Sequence, residues 1–254
     1  MEVTMSLVEV DKVSLTYHEE DGETPAIEDI TLKVEEGEFV SIVGPSGCGK
    51  TSLLSILAGI NAPDSGAVRI NGSAAFEAGS QIGYMLQHDH LLSFRTIYQN
   101  TLLGLEVKRM LTAETRAYAL SLLSRYGLID FKDAYPRQLS GGMRQKVALI
   151  RTLAFSPALL LLDEPFSSLD YQTRLKLSNE VTEIIRNEGK TAILVTHDIS
   201  EAISMSERIY VFSKRPALIK NIHEINLGPE HDTIKRRNHL NFKTYFDNIW
   251  GELQ

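Results

Sequence analysis

The sequence has only one cysteine, Cys48, among 254 residues. One thiol excludes an internal disulfide framework and any metal site built from several cysteines. Long hydrophobic runs are also missing: the longest, residues 158–162, is far shorter than the ~20 apolar residues that a membrane helix needs. Residues 1–10 contain Glu2 and Glu9 and lack the basic start and apolar core of a signal peptide. We therefore expect a protein that does not cross a membrane by itself.

Basic residues are in the minority, since 26 Lys and Arg against 33 Asp and Glu give a formal charge of −7. Nonspecific DNA binding requires a basic surface that neutralises phosphates, so this chain is a poor candidate for it. Hydrophobic residues make up 43% and charged residues 23%, which excludes a disordered, collagen-like or coiled-coil chain. The length fits one domain with sub-lobes or two small domains.

The spacing of apolar residues predicts strands that alternate with helices. Short apolar or alternating segments predict strands at residues 8–17, 30–34, 39–43, 67–70, 82–86, 159–162 and 192–195. Helical spacing occurs at residues 50–59, 96–126 and 171–187. The strand–helix–strand order near the end implies a parallel α/β sheet, with residues 96–126 as a helical insertion. Residues 18–25 are predicted to form a loop, and residues 221–254 a short, polar C-terminal tail.

The strongest motif is Gly-Pro-Ser-Gly-Cys-Gly-Lys-Thr, which fits the phosphate-loop pattern and lies between a predicted buried strand and a predicted helix. Its glycines let the backbone wrap around a phosphate, and the helix N-terminus attracts the anion. Lys50 should reach the β- and γ-phosphates, and the Thr51 hydroxyl should bind Mg²⁺. The alternative is a glycine-rich turn with a chance Lys-Thr, and the flanking elements argue against it. The predicted phosphate-binding residues are Gly44, Pro45, Ser46, Gly47, Cys48, Gly49, Lys50, Thr51 and Ser52.

Four leucines followed by Asp163 and Glu164 form the second motif. A strand without a polar face must be central, and ligands bind at the carboxyl ends of strands in open parallel sheets. Asp163 is therefore predicted to hold Mg²⁺ through water, and Glu164 to polarise an attacking water. Taken alone, two acids after a strand are equally well explained as a helix cap or a solvated turn.

The third motif is Leu-Ser-Gly-Gly-Met-Arg-Gln, ahead of an apolar segment at residues 147–153. Ser140 can cap a helix whose first amides, at Gly141 and Gly142, stay uncovered, and this builds a second anion site. As a bare pattern the segment is only a weak turn signal. Its place about twenty residues before the acidic strand makes it informative.

Together the three motifs resemble the nucleotide-binding subunits of ABC transporters over about residues 7–218, and residues 140–145 resemble that family's signature motif. The resemblance implies an α/β phosphate-loop NTPase (RecA-like) core with an N-terminal antiparallel β lobe and a helical insertion subdomain. It also implies that residues 1–254 form one nucleotide-binding domain. Within it, the helical subdomain would span about 88–156 and the tail about 221–254.

The resemblance assigns four more residues. Gln87 resembles the glutamine that binds Mg²⁺ and the attacking water, which gives Thr51, Gln87 and Asp163 as the metal set. His197 resembles the switch histidine at the γ-phosphate, Asp170 lies in the D-loop-like segment, and Tyr17 resembles the aromatic residue that stacks on adenine. Three of them have an ordinary alternative: a surface glutamine, a structural histidine and, for Tyr17, strand packing.

The implied function is hydrolysis of ATP with Mg²⁺ by a homodimer in which Ser140 and Gly142 act on the partner's ATP. Two separate permease subunits would form the pore, an extracytoplasmic solute-binding protein would take part indirectly, and no nucleic acid would bind. The protein would lie peripherally on the cytoplasmic face of the cell membrane. A soluble ABC ATPase without a permease remains an alternative. A DNA-maintenance ATPase is disfavoured because residues 44–164 are too few to hold a long coiled coil.

Phe166 and residues 196–203 and 211–216 resemble the nitrate, sulfonate and taurine importer subfamily. The expected solute is therefore a sulfonate, taurine or nitrate, with a thiamine-precursor-like solute as the alternative. Lys146, Ile150 and Thr152 depart from the arginine, alanine and alanine that are more common there.

Overall fold

The computed structural model describes residues 6–19 and 22–254, and its strands form two sheets. The smaller sheet is antiparallel throughout, with the order β2-β1-β4-β5. Its strands are β1 (Ser6–Glu19), β2 (Gly22–Glu35), β4 (Ser65–Ile70) and β5 (Ser73–Ala74). This sheet is the predicted N-terminal antiparallel lobe.

The larger sheet has six strands in the order β10-β9-β3-β8-β7-β6. All its pairs are parallel except β9 with β10. Its strands are β3 (Phe39–Val43), β6 (Ile82–Met85), β7 (Leu159–Asp163), β8 (Thr191–Thr196), β9 (Arg208–Phe212) and β10 (Ile219–Glu224). Every residue of β3, β7 and β8 is buried, as their nearly continuous apolar runs require.

Eight α-helices are present in the described residues. Several of them begin after a residue whose side chain caps the helix N-terminus. Thr96 and Thr112 form capping boxes, and the Ser140 hydroxyl accepts a hydrogen bond from the Met143 N–H. The helices are α1 (Lys50–Leu57), α2 (Ile97–Val107), α3 (Ala113–Arg125), α4 (Gly141–Leu153), α5 (Tyr171–Asn187), α6 (Ile199–Met205), α7 (Thr233–Arg237) and α8 (Phe242–Leu253). None of them has the length and apolar character that a membrane span requires.

The core lies on both faces of the large sheet. Leu159 and Leu161 of β7 pack with α1 and the small sheet, whereas Leu160 and Leu162 pack with α4 and α5. This follows from the two-residue period of a strand, which sends successive side chains to opposite faces. Four leucines in a row are therefore needed to fill the interior on both sides.

The prediction of a loop at residues 18–25 is wrong, because β1 and β2 continue through it as a hairpin in which Tyr17 pairs with Thr24 and His18 with Glu23. Backbone pairing needs no apolar side chains, so an exposed acidic hairpin leaves no hydrophobic pattern to detect. Residues 20–21, within the predicted loop, lie outside the described residues.

Residues 221–254 are also more structured than the predicted polar tail. They contain most of β10 and both α7 and α8, and Ile249 of α8 is fully buried against α6 and β9. Phe242 and Phe246 are half-buried in the same cluster. The apolar residues of α8, which include Tyr245 and Leu253, recur at helical spacing, so the prediction of a polar tail overlooked an amphipathic helix.

Candidate active site

The candidate site lies at the carboxyl edge of the large sheet, where the segments after β3, β8 and β7 meet. Strand β8 separates β3 from β7, so the phosphate-loop motif and the acidic motif follow strands that are next-but-one neighbours. His197 follows β8 between them. The parallel direction of the three strands brings all three segments to one edge.

A cleft of about 280 Å³ opens at this edge. Its lining residues are Tyr17, Ala26, Ser46, Gly47, Gly49, Lys50, Thr51, Ser52, Glu164 and Arg215. Gly49 has φ 127°, and a Cβ there would lie 2.5 Å from the carbonyl oxygen of Ala26. Only glycine fits this turn, which explains its position immediately before α1.

Lys50 is buried, with 5% of its surface exposed. Its Nζ donates to the carbonyl oxygens of Gly44 at 2.8 Å and Pro45 at 2.9 Å, and it lies 3.9 Å from the Cys48 sulfur. The Lys50 ammonium group therefore bridges these two carbonyl groups on the inner side of the loop. Cys48 is buried and fills the loop as a small side chain.

Asp163, Thr51 and Tyr84 form a group of oxygen atoms at the end of β7. The Thr51 hydroxyl donates to Asp163 Oδ1 over 3.4 Å, and the Tyr84 hydroxyl donates to Oδ2 over 3.3 Å. Burial raises the pKa of Asp163, and the nearby Glu164 adds to this, while the two hydroxyl donors oppose it. Hydroxyl and carboxylate oxygens are the donors that Mg²⁺ prefers, so Thr51 and Asp163 fit that ion.

Glu164 pairs with His197. The His197 Nδ1 lies 3.0 Å from Glu164 Oε2, and the backbone N–H of Glu164 donates to Val195 O over 2.9 Å. Glu164 has φ 44°, in the left-handed region that a non-glycine residue occupies only at a cost of about 1–3 kcal/mol. Its side chain lines the cleft, and the imidazole of His197 is half exposed beside it.

Gln87 and Tyr17 contact the edges of the site. Gln87 Nε2 donates to the Ser167 hydroxyl over 3.2 Å, and this hydroxyl donates to Glu164 O over 3.0 Å. The Tyr17 hydroxyl donates to Ser52 Oγ over 3.2 Å, while its ring lines the cleft.

Arg215 is a lining residue that the sequence did not reveal. Its Nε and Nη2 both donate to the carbonyl oxygen of Gly47, at 3.0 and 2.8 Å. Tyr84 and Ser167 were also not identified from the sequence as hydrogen-bond partners of site residues. Arg215 lies 168 residues from Gly47, and no local pattern relates them. Only the fold brings this guanidinium to the phosphate loop.

The signature residues lie outside this cleft. Ser140 and Gly142 line a separate cleft of about 240 Å³ together with Thr173 and Lys176 of α5. Asp170 caps α5 by accepting from the Thr173 N–H over 3.1 Å, and hydrogen bonds from the Thr173 side chain and backbone lower its pKa. Ser140, Gly141, Gly142 and Asp170 are thus not brought together with the phosphate loop within one chain.

A family model described as ABC transporter matches residues 27–167, more than half of the chain. The chain belongs to the ABC transporter family. It is an ABC ATP-binding subunit and an ATPase, and its fold is that of a phosphate-loop NTPase.

Several ABC ATP-binding proteins resemble this subunit along most of its length. The ABC transporter ATP-binding protein YtlC of Bacillus subtilis is 49% identical over 253 residues, covering 98% of this chain and 96% of YtlC. The nitrate import ATP-binding protein NrtD of Synechocystis is 39% identical and covers 85% of this chain and 81% of NrtD. The taurine import ATP-binding protein TauB of Yersinia pestis is 37% identical and covers 82% and 81%.

The solved structure of the ATP-binding cassette MJ0796, dimeric and bound to ADP and Pi, superposes with a TM-score of 0.73 at 31% identity. The match covers 86% of this chain and 99% of the cassette. It supports the assignment of the phosphate-loop NTPase fold.

Proposed function

We propose that this subunit hydrolyses ATP at the carboxyl edge of its large sheet and couples the reaction to uptake of a small solute. The observation that carries the proposal is the meeting of Lys50, Asp163 and the Glu164–His197 pair around one cleft. Positive charge for the phosphates, oxygen ligands for a metal and a carboxylate for water are the parts that phosphoryl transfer needs.

Each group has a proposed role. Lys50 and the backbone N–H groups of residues 44–52, apart from Pro45, which has none, bind and orient the phosphates, and Tyr17 offers a ring for the adenine. Thr51, Gln87 and Asp163 would hold Mg²⁺, which when bound neutralises phosphate charge. Glu164 orients the attacking water and accepts its proton, while His197 holds the carboxylate in place and faces the γ-phosphate.

The working unit is proposed to be a homodimer, because within one chain the cleft lined by Ser140 and Gly142 is separate from the cleft lined by Lys50. In a head-to-tail pair of subunits, Ser140, Gly141 and Gly142 of one subunit would close over the ATP of the other. The amides at the start of α4 would then contribute positive potential to the phosphates. Asp170 would lie at the dimer interface. The dimeric form of the similar cassette MJ0796 supports this arrangement.

The solute is proposed to be nitrate, taurine or another sulfonate, since NrtD and TauB are named for importing nitrate and taurine. Two permease subunits would form the pore, an extracytoplasmic solute-binding protein would deliver the solute, and this subunit would dock on the cytoplasmic face of the membrane. We also propose that the chain is one nucleotide-binding domain, with residues 88–156 as its helical subdomain.

The test of the catalytic site is Glu164→Gln. Loss of a general base slows hydrolysis by at least ~10²-fold, so we expect that loss with ATP binding retained. The exposed Glu183→Gln serves as the control and should keep normal turnover. Turnover close to that of the unmodified protein in Glu164→Gln would refute the assignment of this residue.

The test of the dimer mixes Lys50→Ala with Ser140→Arg subunits. A mixed dimer retains one intact composite site, so it should trap ATP at its interface, whereas neither variant alone should. Equal ATP trapping in the mixture and in the single variants would refute action in trans. For the solute, a strain lacking this protein should fail to grow on nitrate, taurine or sulfonates as sole nitrogen or sulfur source, and normal growth on all of them would reject this solute class.

A further inference from the structure

Two arginines of α4 hold the segment that follows Gln87. We name residues 87–92 the glutamine segment. Arg144 Nε donates to Asp89 Oδ2 over 3.0 Å. Arg151 donates from Nη1 to His90 O and from Nη2 to Asp89 O, both over 2.8 Å. The arginines are seven residues apart, so they lie on one face of α4, two turns from each other.

The Arg144 guanidinium contacts both the glutamine segment and the residue that precedes the signature motif. Besides Asp89, it donates from Nη1 to the carbonyl oxygen of Leu139 over 3.0 Å, immediately before Ser140. Asp89 Oδ1 in turn accepts from the Leu91 N–H over 3.0 Å, which fixes the carboxylate within the glutamine segment. A single side chain thus joins this segment to the start of the signature helix.

The other end of the glutamine segment reaches the catalytic strand. Gln87 donates to Ser167, and Ser167 donates to the backbone of Glu164. Two groups of hydrogen bonds, joined by the backbone of residues 87–89, therefore connect the end of β7 with Arg144. At this end Arg144 bonds to Leu139, next to Ser140, which lines the second cleft together with Gly142.

We propose that the Asp89–Arg144 ion pair couples the two ATP sites of the dimer, with Arg144 acting as a positioning residue. This rests on the proposed function, in which Gln87 serves the site of its own subunit and Ser140 serves the site of the partner. Because the pair fixes these two residues to one another, closure at one site sets the orientation of the signature amides at the other. Coupling through a packed network of this kind is the physical basis of communication between distant sites.

The test uses Asp89→Arg, Arg144→Asp and the double variant with the two charges exchanged. The side chains are 26% and 37% exposed, and such pairs contribute little to global stability, so the variants should fold. Each single variant should bind a fluorescent ATP analogue with unchanged affinity as a monomer, because neither residue lines the cleft. Its kcat should fall roughly 2- to 30-fold, and its Hill coefficient for ATP should fall towards unity. The double variant restores the ion pair but not the bond from residue 144 to Leu139 O, so it should recover part of both.

The matched control is Arg95→Glu, which breaks the Arg95–Glu106 pair of similar exposure in the same part of the chain. It should keep the kcat and the Hill coefficient of the unmodified protein. The proposal is overturned if the single variants behave like this control, or if the exchanged pair recovers nothing over the weaker single variant. Absence of ATP hydrolysis or of ATP-dependent dimers in the unmodified protein would instead refute the proposed function.

Discussion

Replacing Glu201 by glutamine should make the protein more stable at neutral and higher pH. Glu201 is only 3% exposed, its carboxylate accepts from the Thr196 hydroxyl over 2.8 Å, and Arg174 Nε lies 3.8 Å away. Burial raises its pKa from the ordinary 4.5 to about 7, and the charge of Asp198 adds to this, against the opposing effects of Thr196 and Arg174.

The direction of the effect follows from which state holds the proton more tightly. An unfolded chain releases the Glu201 proton near pH 4.5, whereas the folded protein keeps it until about pH 7. Between these values ionisation favours the unfolded state. At about 1.4 kcal/mol for each pH unit, the penalty grows to about 3 kcal/mol above pH 7 and is absent below pH 4.5. Glutamine cannot ionise, so it escapes this penalty.

The assay is urea unfolding of the unmodified protein and Glu201→Gln at pH 5 and pH 8. The free energy of unfolding of the variant, relative to that of the unmodified protein, should increase from pH 5 to pH 8 by an amount approaching about 3 kcal/mol. The exposed Glu77→Gln should show no such pH-dependent gain. A difference between Glu201→Gln and the unmodified protein that stays constant from pH 5 to pH 8 would refute the reasoning.

Three shorter predictions concern the nucleotide cleft and the core. Lys50→Ala should weaken ATP binding by at least tenfold, roughly the 1.5–3 kcal/mol of a hydrogen bond to a charged group, and fluorescence titration measures it. Tyr17→Ala should weaken binding by roughly 5- to 150-fold through lost stacking, whereas Tyr17→Phe, which keeps the ring, should lose much less; equal losses would refute stacking. Gly83→Val should destabilise folding by about 1–3 kcal/mol in thermal or urea unfolding, because even a Cβ would lie 2.5 Å from the Thr152 methyl carbon; an unchanged transition would show that this side chain can move aside.

Much of the core could be predicted because apolar runs have a direct physical meaning. Predicted residues 39–43 and 171–187 match β3 and α5 in both bounds, since β3 is a fully buried and largely apolar strand and Asp170 caps α5. The exposed hairpin could not be predicted, because its partners are backbone groups. Helix α8 could have been, because its apolar residues recur at helical spacing. Periodicity detects burial, so it misses elements that are mostly exposed.

The residues of the candidate site likewise divide into those that could be predicted from the sequence and those that could not. Lys50 and Asp163 could be found because each stands in a motif with a fixed neighbouring strand. Arg215 and Tyr84 could not, because sheet order rather than local sequence brings them to the site. Spacing along the chain carries no information about contacts of that range.

The position of β3 in the large sheet also bears on how the protein is made. Val40 pairs with Ile193 of β8 and Arg208 of β9, both more than 150 residues later in the chain. A ribosome adds roughly 5–20 residues per second, so roughly 8–30 s pass between synthesis of the phosphate loop and arrival of the strands that flank it. During that interval β3 is an apolar segment that has no neighbouring strands of the large sheet to pair with. We therefore expect the growing chain to acquire nucleotide binding only after β8 and β9 have been made, and its exposed β3 to be a natural binding site for chaperones until then.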